Sequence, residues 1–425
     1  MPAFLITALT ARMNRALETL PMGFWLATAA SVFYFFAIQM TFPLIPLFVQ
    51  NELGAAASFV GTAVLVVTLA EILSRLPSGA WSDRVGRRRV MLVGGALGVF
   101  YLVTMALTQS RELFLAGRLV HGFSLAIYLT AMKAYIADVV PPERRGEAFG
   151  INTSGFSLAL ILGPLSGEAL MNGFGFRVAF WVAAVLSLGA LVFTLMLPQR
   201  EERITSDVSM WRGSRKILAL RGAWASLFTS FAGASIFVLF FVYFPLYAEH
   251  RDLAGQAPGF LAEVPISVAF SLFALVNFFV LPRAGRYSDR RGRFAGLVPG
   301  MFIMLPGIAL MGLVGNIWLI YLAVIIVSFG FSYHRAMMDA LMQDACPPRL
   351  RGLGTAIMFT GWGAAIGVGS QLYGTIIEAH GFTWLFILTG VQVLLLSIPA
   401  LGLARRIERE RRTAYKGVSL PIQAR

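Results

Sequence analysis

Charge is scarce in this 425-residue chain: only 13% of its residues are Asp, Glu, Lys or Arg, against 57% hydrophobic. Soluble domains carry about a quarter charged residues. Half that level at this length excludes a single soluble globule, and the apolar content excludes a disordered chain. Cysteine is nearly absent. The single residue Cys346 excludes an internal disulfide, a disulfide-built secreted fold and any cysteine-based metal cluster. Lysine is rare, at Lys133, Lys216 and Lys416 only, so arginine carries most of the net charge of +14. No P-loop occurs, which argues against ATP drive, and no His/Asp/Glu group has metal-ligand spacing. His250 and His380 each stand alone in the sequence. An integral-membrane enzyme is therefore disfavoured, and no cofactor is expected.

What is present is apolar sequence in long runs. A bilayer-crossing helix needs about 20 mostly apolar residues, and twelve stretches qualify: 23–49, 59–79, 90–108, 113–137, 148–171, 178–197, 224–248, 260–281, 294–315, 317–341, 354–377 and 384–404. The fold class is thus all-α integral membrane. Residues 1–22 lack a separate short apolar core with a cleavage site, so they are expected to lie on the membrane surface at the cytoplasmic side. Residues 198–220 form a polar linker between segments 23–197 and 221–404, and 405–425 form a basic tail.

Placing both termini inside puts 28 basic residues in inner loops and tails, three outside (Arg111, Arg177 and Arg251) and four within spans. Such an asymmetry sets orientation. The basic balance then reflects contact with anionic lipid at the cytoplasmic face of a cell membrane, and nucleic-acid binding is not expected.

The chain also repeats. Residues 79–87, GAWSDRVGR, align with residues 285–293, GRYSDRRGR, at an offset of 206. The same offset carries Asp138 to Asp344, Arg145-Gly146 to Arg351-Gly352, and Gly175-Phe176 to Gly381-Phe382. Several separated matches in one ungapped register mean two homologous six-helix halves. Parallel halves with a site between them near the midplane are a recurring transporter design.

Residues 79–88, GAWSDRVGRR, resemble the signature loop between helices 2 and 3 of the major facilitator superfamily, with a degenerate copy at 285–293. Arg118, in GRLVHG, resembles that family's helix-4 arginine motif. Gly150, Gly163, Pro164 and Gly167 resemble the helix-5 motif of its antiporter branch, although Ala159 and Glu168 stand where glycines are usual. The resemblance implies a transporter that works as a monomer, with helices 1, 4, 7 and 10 lining a central cavity.

In that setting the loop with Gly79, Asp83, Arg84, Gly86 and Arg87 has a mechanical reading. Helix 11 begins near Gly354 on the same face, and its N-terminus carries positive partial charge. Asp83 would hold that end when the protein is closed inside. Arg87 would pair with Asp138 and, in the second half, Arg293 with Asp344, beside Asp289. The plainer alternative makes these loops topogenic signals only. Gly155, Gly163, Pro164 and Gly167 allow close packing and a kink.

Charges inside spans imply function by default. At 100° per residue, Arg118, Gly122, Leu125, Leu129 and Lys133 share a stripe of helix 4. The 206 register maps Leu129 and Lys133 onto Arg335 and Asp339 of helix 10. Lys133 and Asp339 could then bridge the cavity, unless Arg335 and Asp339 neutralise each other along their helix. Either way positive charge is in surplus, which points to an anionic or zwitterionic substrate held by Arg118, Lys133, Arg335 and Gln39. Asp339, Glu71 and His334 are the candidates for proton coupling; Glu71 would take a proton when Arg75 is drawn elsewhere. Asn277 is expected either to bond substrate or to join helices. The expectation is a proton-driven exporter of a small organic anion or zwitterion. Its alternatives are a multidrug:proton antiporter, a proton-coupled uptake symporter, and a receptor on a transporter scaffold.

Overall fold

A computed structural model describes residues 20–199, 210–253, 256, 258–347 and 350–417. Most of the predicted surface segment 1–22, the middle of the 198–220 linker and the end of the basic tail lie outside these residues. Among the described residues, twelve helices are long and apolar enough to cross a membrane. We label them α1 (Met22–Asn51), α2 (Ala57–Val85), α3 (Arg87–Leu107), α4 (Arg111–Val139), α5 (Arg145–Phe174) and α6 (Phe176–Leu195) in the first half. The second half has α7 (Arg221–His250), α8 (Pro265–Arg291), α9 (Arg293–Leu313), α10 (Ile317–Ala345), α11 (Arg351–His380) and α12 (Phe382–Gly417). No strand occurs among the described residues. An even number of spans returns the chain to its starting face. That face is the termini end, and the opposite one the far end.

The helices overrun the apolar stretches. α2 continues to Val85, because polar residues at the membrane boundary still complete main-chain hydrogen bonds. α8 starts at Pro265 rather than near 260, since proline lacks the N–H that a first helical residue leaves unused anyway. Residues Phe260–Glu263 form a separate short turn of helix. α1 breaks at Phe42-Pro43, and α7 passes through a wide π turn at Val238–Tyr243 just ahead of Pro245.

The repeat is visible in the backbone. Gly86 and Gly292 sit between the second and third helices of each half at φ +101° and +97°, and Gly175 and Gly381 between the fifth and sixth at +85° and +81°. An L-residue with a side chain rarely adopts this region. Each pair is separated by the 206 residues of the sequence register.

Within each half, small residues bring helices close. Gly155 lies under Val32, Gly163 against Gln39 and Met40, and Gly167 against the Met40 carbonyl, so three glycines of the α5 motif face α1. Gly150 faces open space. A Cβ at Gly167 would collide with that carbonyl, a backbone atom with no rotamer to escape into. Gly167→Val is expected to cost about 1–3 kcal/mol, the usual cost of overpacking. Gly150→Ala is expected to be neutral or slightly stabilising, as in any exposed helix interior. Melting temperatures of the two variants in detergent check this; equal values would refute the packing role.

Asn277 joins helices: it donates to Ser328 Oγ at 2.8 Å and accepts from Ser332 at 2.9 Å. Large apolar side chains such as Leu73, Phe302 and Leu395 cover the outer surface, as contact with lipid requires. Hydrogen bonds between the halves cluster toward the far end. Asn51 donates to Glu249 at 2.9 Å, Thr62 to Gln371 at 2.9 Å, Ser267 to the Pro164 carbonyl at 2.8 Å and Ser271 to the Ile161 carbonyl at 2.7 Å.

Candidate functional site

A cavity of about 860 Å³ lies between the halves. Its wall is largely apolar and aromatic, with Phe42 of α1, Phe237 and Phe241 of α7, and Phe359 and Trp362 of α11. Its rim includes Gly79 and Asp83 on α2 and Gly352, Thr355 and Ala356 on α11, residues at the termini end of those helices. With the far end tied by cross-half hydrogen bonds, this is a conformation sealed at the far end and open toward the termini.

The α4 stripe reaches this space. Arg118, Leu125, Leu129 and Lys133 line it, whereas Gly122 turns aside to pack on the Val67 carbonyl of α2. Arg118 is 7% exposed, and its Nη1 donates to Tyr101 Oη at 3.2 Å and to His121 Nδ1 at 3.0 Å. A guanidinium only donates, so His121 Nδ1 must accept and its proton sits on Nε2. The imidazole stacks on the Tyr101 ring with centroids 4.1 Å apart. Arg118 Nε and His121 Nε2 are then two buried donors without a partner among the described residues. Donors left unpaired in a buried wall favour an acceptor, above all a charged one.

Lys133 lies near the termini end of the same stripe. Its Nζ sits 5.6 Å from the centroid of Phe359, and the guanidinium carbons of Arg75 and Arg335 sit 5.7 and 5.5 Å from that same ring. One aromatic side chain of α11 thus gathers cations from α2, α4 and α10, drawn from both halves, by the attraction of its π face. Arg75 is paired with Glu71, and Arg335 with Asp339 at 2.6 Å. Among the described residues Lys133 has no ion pair, and neither has Arg118. The cavity therefore holds a positive surplus at two levels of α4.

Several expectations need correction. The bridge between Lys133 and Asp339 is not made, because Arg335 one turn away on α10 takes the Asp339 carboxylate. Gln39 is 7% exposed and does not line the cavity; its Cβ packs beside Gly163 of α5, on the side of α1 turned toward that helix. His334 is buried inside the second bundle, 3.1 Å from Ser397 of α12 and against Gly300 of α9. Arg335 and Asp339 likewise lie outside the cavity lining, which includes no described residue of α10, and Arg335 meets the site only against the Phe359 ring. Helical spacing could not say which face of α1 or α10 looks inward. Sequence reasoning also passed over Phe359, whose significance comes only from the helices that converge on it.

The two repeat loops are built alike. Arg87, the first residue of α3, bonds Asp83 of α2 across the turn at Gly86, donates from Nε to Asp138 at 3.0 Å and from Nη1 to Ser82 at 3.2 Å. Arg293 bonds Asp289 at 2.6 Å, Asp344 at 2.9 Å and Ser288 at 2.9 Å. Each arginine ties the α2–α3 or α8–α9 turn to the termini end of α4 or α10. Arg84 is exposed.

Comparison with known proteins agrees with this architecture. The sequence profile of the Major Facilitator Superfamily matches residues 27–370 and 261–423. The tetracycline resistance protein, class C, of Escherichia coli is 25% identical over 386 residues, covering 86% of this chain and 92% of that one. The glucose transporter GlcP of Staphylococcus epidermidis is 22% identical over 377 residues, covering 80% and 84%. Among solved structures, a bacterial homologue of the human lysosomal transporter Spinster, in an inward-facing and unoccupied conformation, superposes with a TM-score of 0.78. It is 14% identical, and the match covers 90% of this chain and 96% of that one.

Proposed function

This chain belongs to the Major Facilitator Superfamily, and from that premise we propose that it is a proton-driven exporter of a small organic anion or zwitterion. It is a multi-pass membrane transporter rather than an enzyme. The observation that carries the substrate class is the pair of uncompensated cations, Arg118 and Lys133, on the cavity face of α4. A buried charge without a counter-ion is costly, and a bound anion would supply the missing partner at either level. Phe359 and the aromatic wall would hold the apolar part of such a molecule.

Proton coupling follows from competition. An anion at the Phe359 cluster would draw Arg335 or Arg75 toward itself and leave Asp339 or Glu71 without its cation, ready to take a proton. These two carboxylates, each within one turn of its arginine, are the acids we assign to the proton. Export is favoured by the glycines and Pro164 of α5 and by the likeness to a resistance protein. The excess of basic residues in the loops of the termini end supports a cytoplasmic face there, against the anionic lipid of a cell membrane, and a monomer as the working unit. The latch role of Asp83, Arg87 and Asp138, and of their copies, belongs to the same reading.

The apolar and aromatic walls favour a second reading, a multidrug antiporter of broad specificity. One experiment separates the two. Purified protein in inside-out vesicles is given a pH gradient and panels of organic anions, zwitterions and lipophilic cations. Proton movement triggered by anions and lost in Asp339→Asn is expected. Movement triggered only by cations would overturn the assigned substrate class.

A further inference from the structure

α8 starts at Pro265 behind Val264, whose side chain accepts no hydrogen bond, and α2 starts at Ala57 behind Ala56, which accepts none either. The first turn of each helix therefore has N–H groups that its own chain does not satisfy. In both cases the acceptor comes from the other half. Glu168 of α5 accepts from Ile266 N at 3.3 Å and Ser267 N at 2.6 Å. Glu378 of α11 accepts from Ser58 N at 2.7 Å. These donors occupy the second and third helical positions, the ones an N-cap side chain ordinarily serves.

The two contacts are related by the repeat. α5 corresponds to α11 and α8 to α2, and the register partner of Glu168 is Gly374, one helical turn before Glu378. Each half thus lends a glutamate from its fifth helix to the N-terminus of the other half's second helix. Both contacts lie at the far end. Glu168 is only 2% exposed and has no ion pair among the described residues. Tyr321 of α10, which donates to the Pro265 carbonyl at 3.1 Å, is packed at the same helix start. The positive end of the α8 dipole is what faces the carboxyl group.

We propose that Glu168 and Glu378 are reciprocal caps that hold the far end closed and are released whenever the far end opens. They are positioning residues for the transport cycle. They act at the end opposite Asp83, which faces the N-terminus of α11 across the open mouth of the cavity. The inference rests on the proposed transport function working by alternating access, with the two ends closing in turn, but its test needs neither substrate nor proton gradient.

The test measures the far-end separation. Spin labels are attached through Phe174→Cys on α5 and Ala379→Cys on α11, both exposed, in a Cys346→Ser background in lipid nanodiscs. Pulsed electron resonance then gives the ratio of long to short distances. Loss of an N-cap acceptor corresponds to a factor of about five. Glu168→Ala with Glu378→Ala is expected to raise the long:short ratio roughly 25-fold if the two act independently. Glu168→Gln with Glu378→Gln, which keep an acceptor oxygen, should shift it less. Ala56→Asp gives α2 a cap of its own, competes with Glu378 for Ser58 N–H, and should move the ratio in the same direction as Glu378→Ala. An unchanged ratio in the double alanine variant overturns the proposal. If Glu168→Ala does not fold, Glu378→Ala alone decides: a rise of about fivefold supports the cap, and no change overturns it. Failure here leaves the substrate and proton assignments as they were, and failure of the vesicle experiment leaves these distances unaffected.

Discussion

Lys133→Ala is expected to raise the KM for a transported anion roughly 10- to 100-fold, the range set by about 1.5–3 kcal/mol for a hydrogen bond to a charged group. Lys133 is the cation of the Phe359 cluster that no carboxylate neutralises, since Arg75 is held by Glu71 and Arg335 by Asp339. Its charge is therefore the one this cluster leaves free for a substrate anion. Lys133→Arg keeps the charge and should keep most of the affinity, with some loss because a guanidinium is broader than an ammonium. Removing the neutral pair together, as Arg335→Ala with Asp339→Ala, leaves the surplus intact and should raise KM far less. It should instead uncouple transport from the proton gradient. Initial rates in proteoliposomes over a range of substrate concentrations give both quantities. Equal KM values in Lys133→Ala and the unmodified protein would remove Lys133 from the binding site.

Asp83→Asn is expected to lower turnover about tenfold or more while leaving substrate binding and melting temperature nearly unchanged. In the conformation described, Asp83 is engaged by Arg87 and faces Gly352, Thr355 and Ala356 of α11 across the cavity rim. When the termini end closes, the start of α11 approaches this carboxylate. A charge at a helix N-terminus contributes about 0.3–1 kcal/mol when exposed and up to about 2 when partly buried. That is enough to set the ratio of the two end states. Asp289, in the equivalent turn, is 64% exposed and lies outside the cavity lining, so Asp289→Asn should have a smaller effect. Transport rates beside equilibrium binding of the same substrate distinguish the cases. Full turnover in Asp83→Asn would show that this turn serves only to tie α2 and α3 to α4.

Much of the fold was legible in the chain. Twelve apolar runs declare twelve helices because lipid offers the backbone no other partner, and a segment must satisfy its own N–H and C=O groups. The ungapped 206-residue register declares two equivalent halves, and the glycines at positions 86, 175, 292 and 381 mark turns that an ordinary residue fits poorly. Helical periodicity also put Arg118, Leu125, Leu129 and Lys133 on one stripe, and all four line the cavity.

Periodicity fails one step later, and for an identifiable reason. In a chain where lipid and protein interior are both apolar, the two faces of a helix look alike in sequence. Helical spacing alone therefore directs Gln39 and His334 inward, yet they turn toward α5 and toward α9 and α12. Asp339 had two possible partners at similar reach, Lys133 across the cavity and Arg335 on its own helix, and only the distances chose between them. The convergence of Arg75, Lys133 and Arg335 on Phe359 is likewise a property of four helices from two halves. The same holds for the glutamate caps. Glu168 drew notice in the sequence only as a residue where a glycine is usual, and Glu378 drew none. Class, span number, internal repeat and family were thus determined by the sequence alone, because each depends on local composition or on comparison of the chain with itself. Which charges are paired, which are left for a ligand, and which helix ends are capped from the other half were decided by tertiary structure. Each of those depends on which of several candidate partners lie together in space, and the helix-end caps join residues 99 and 320 apart in the chain.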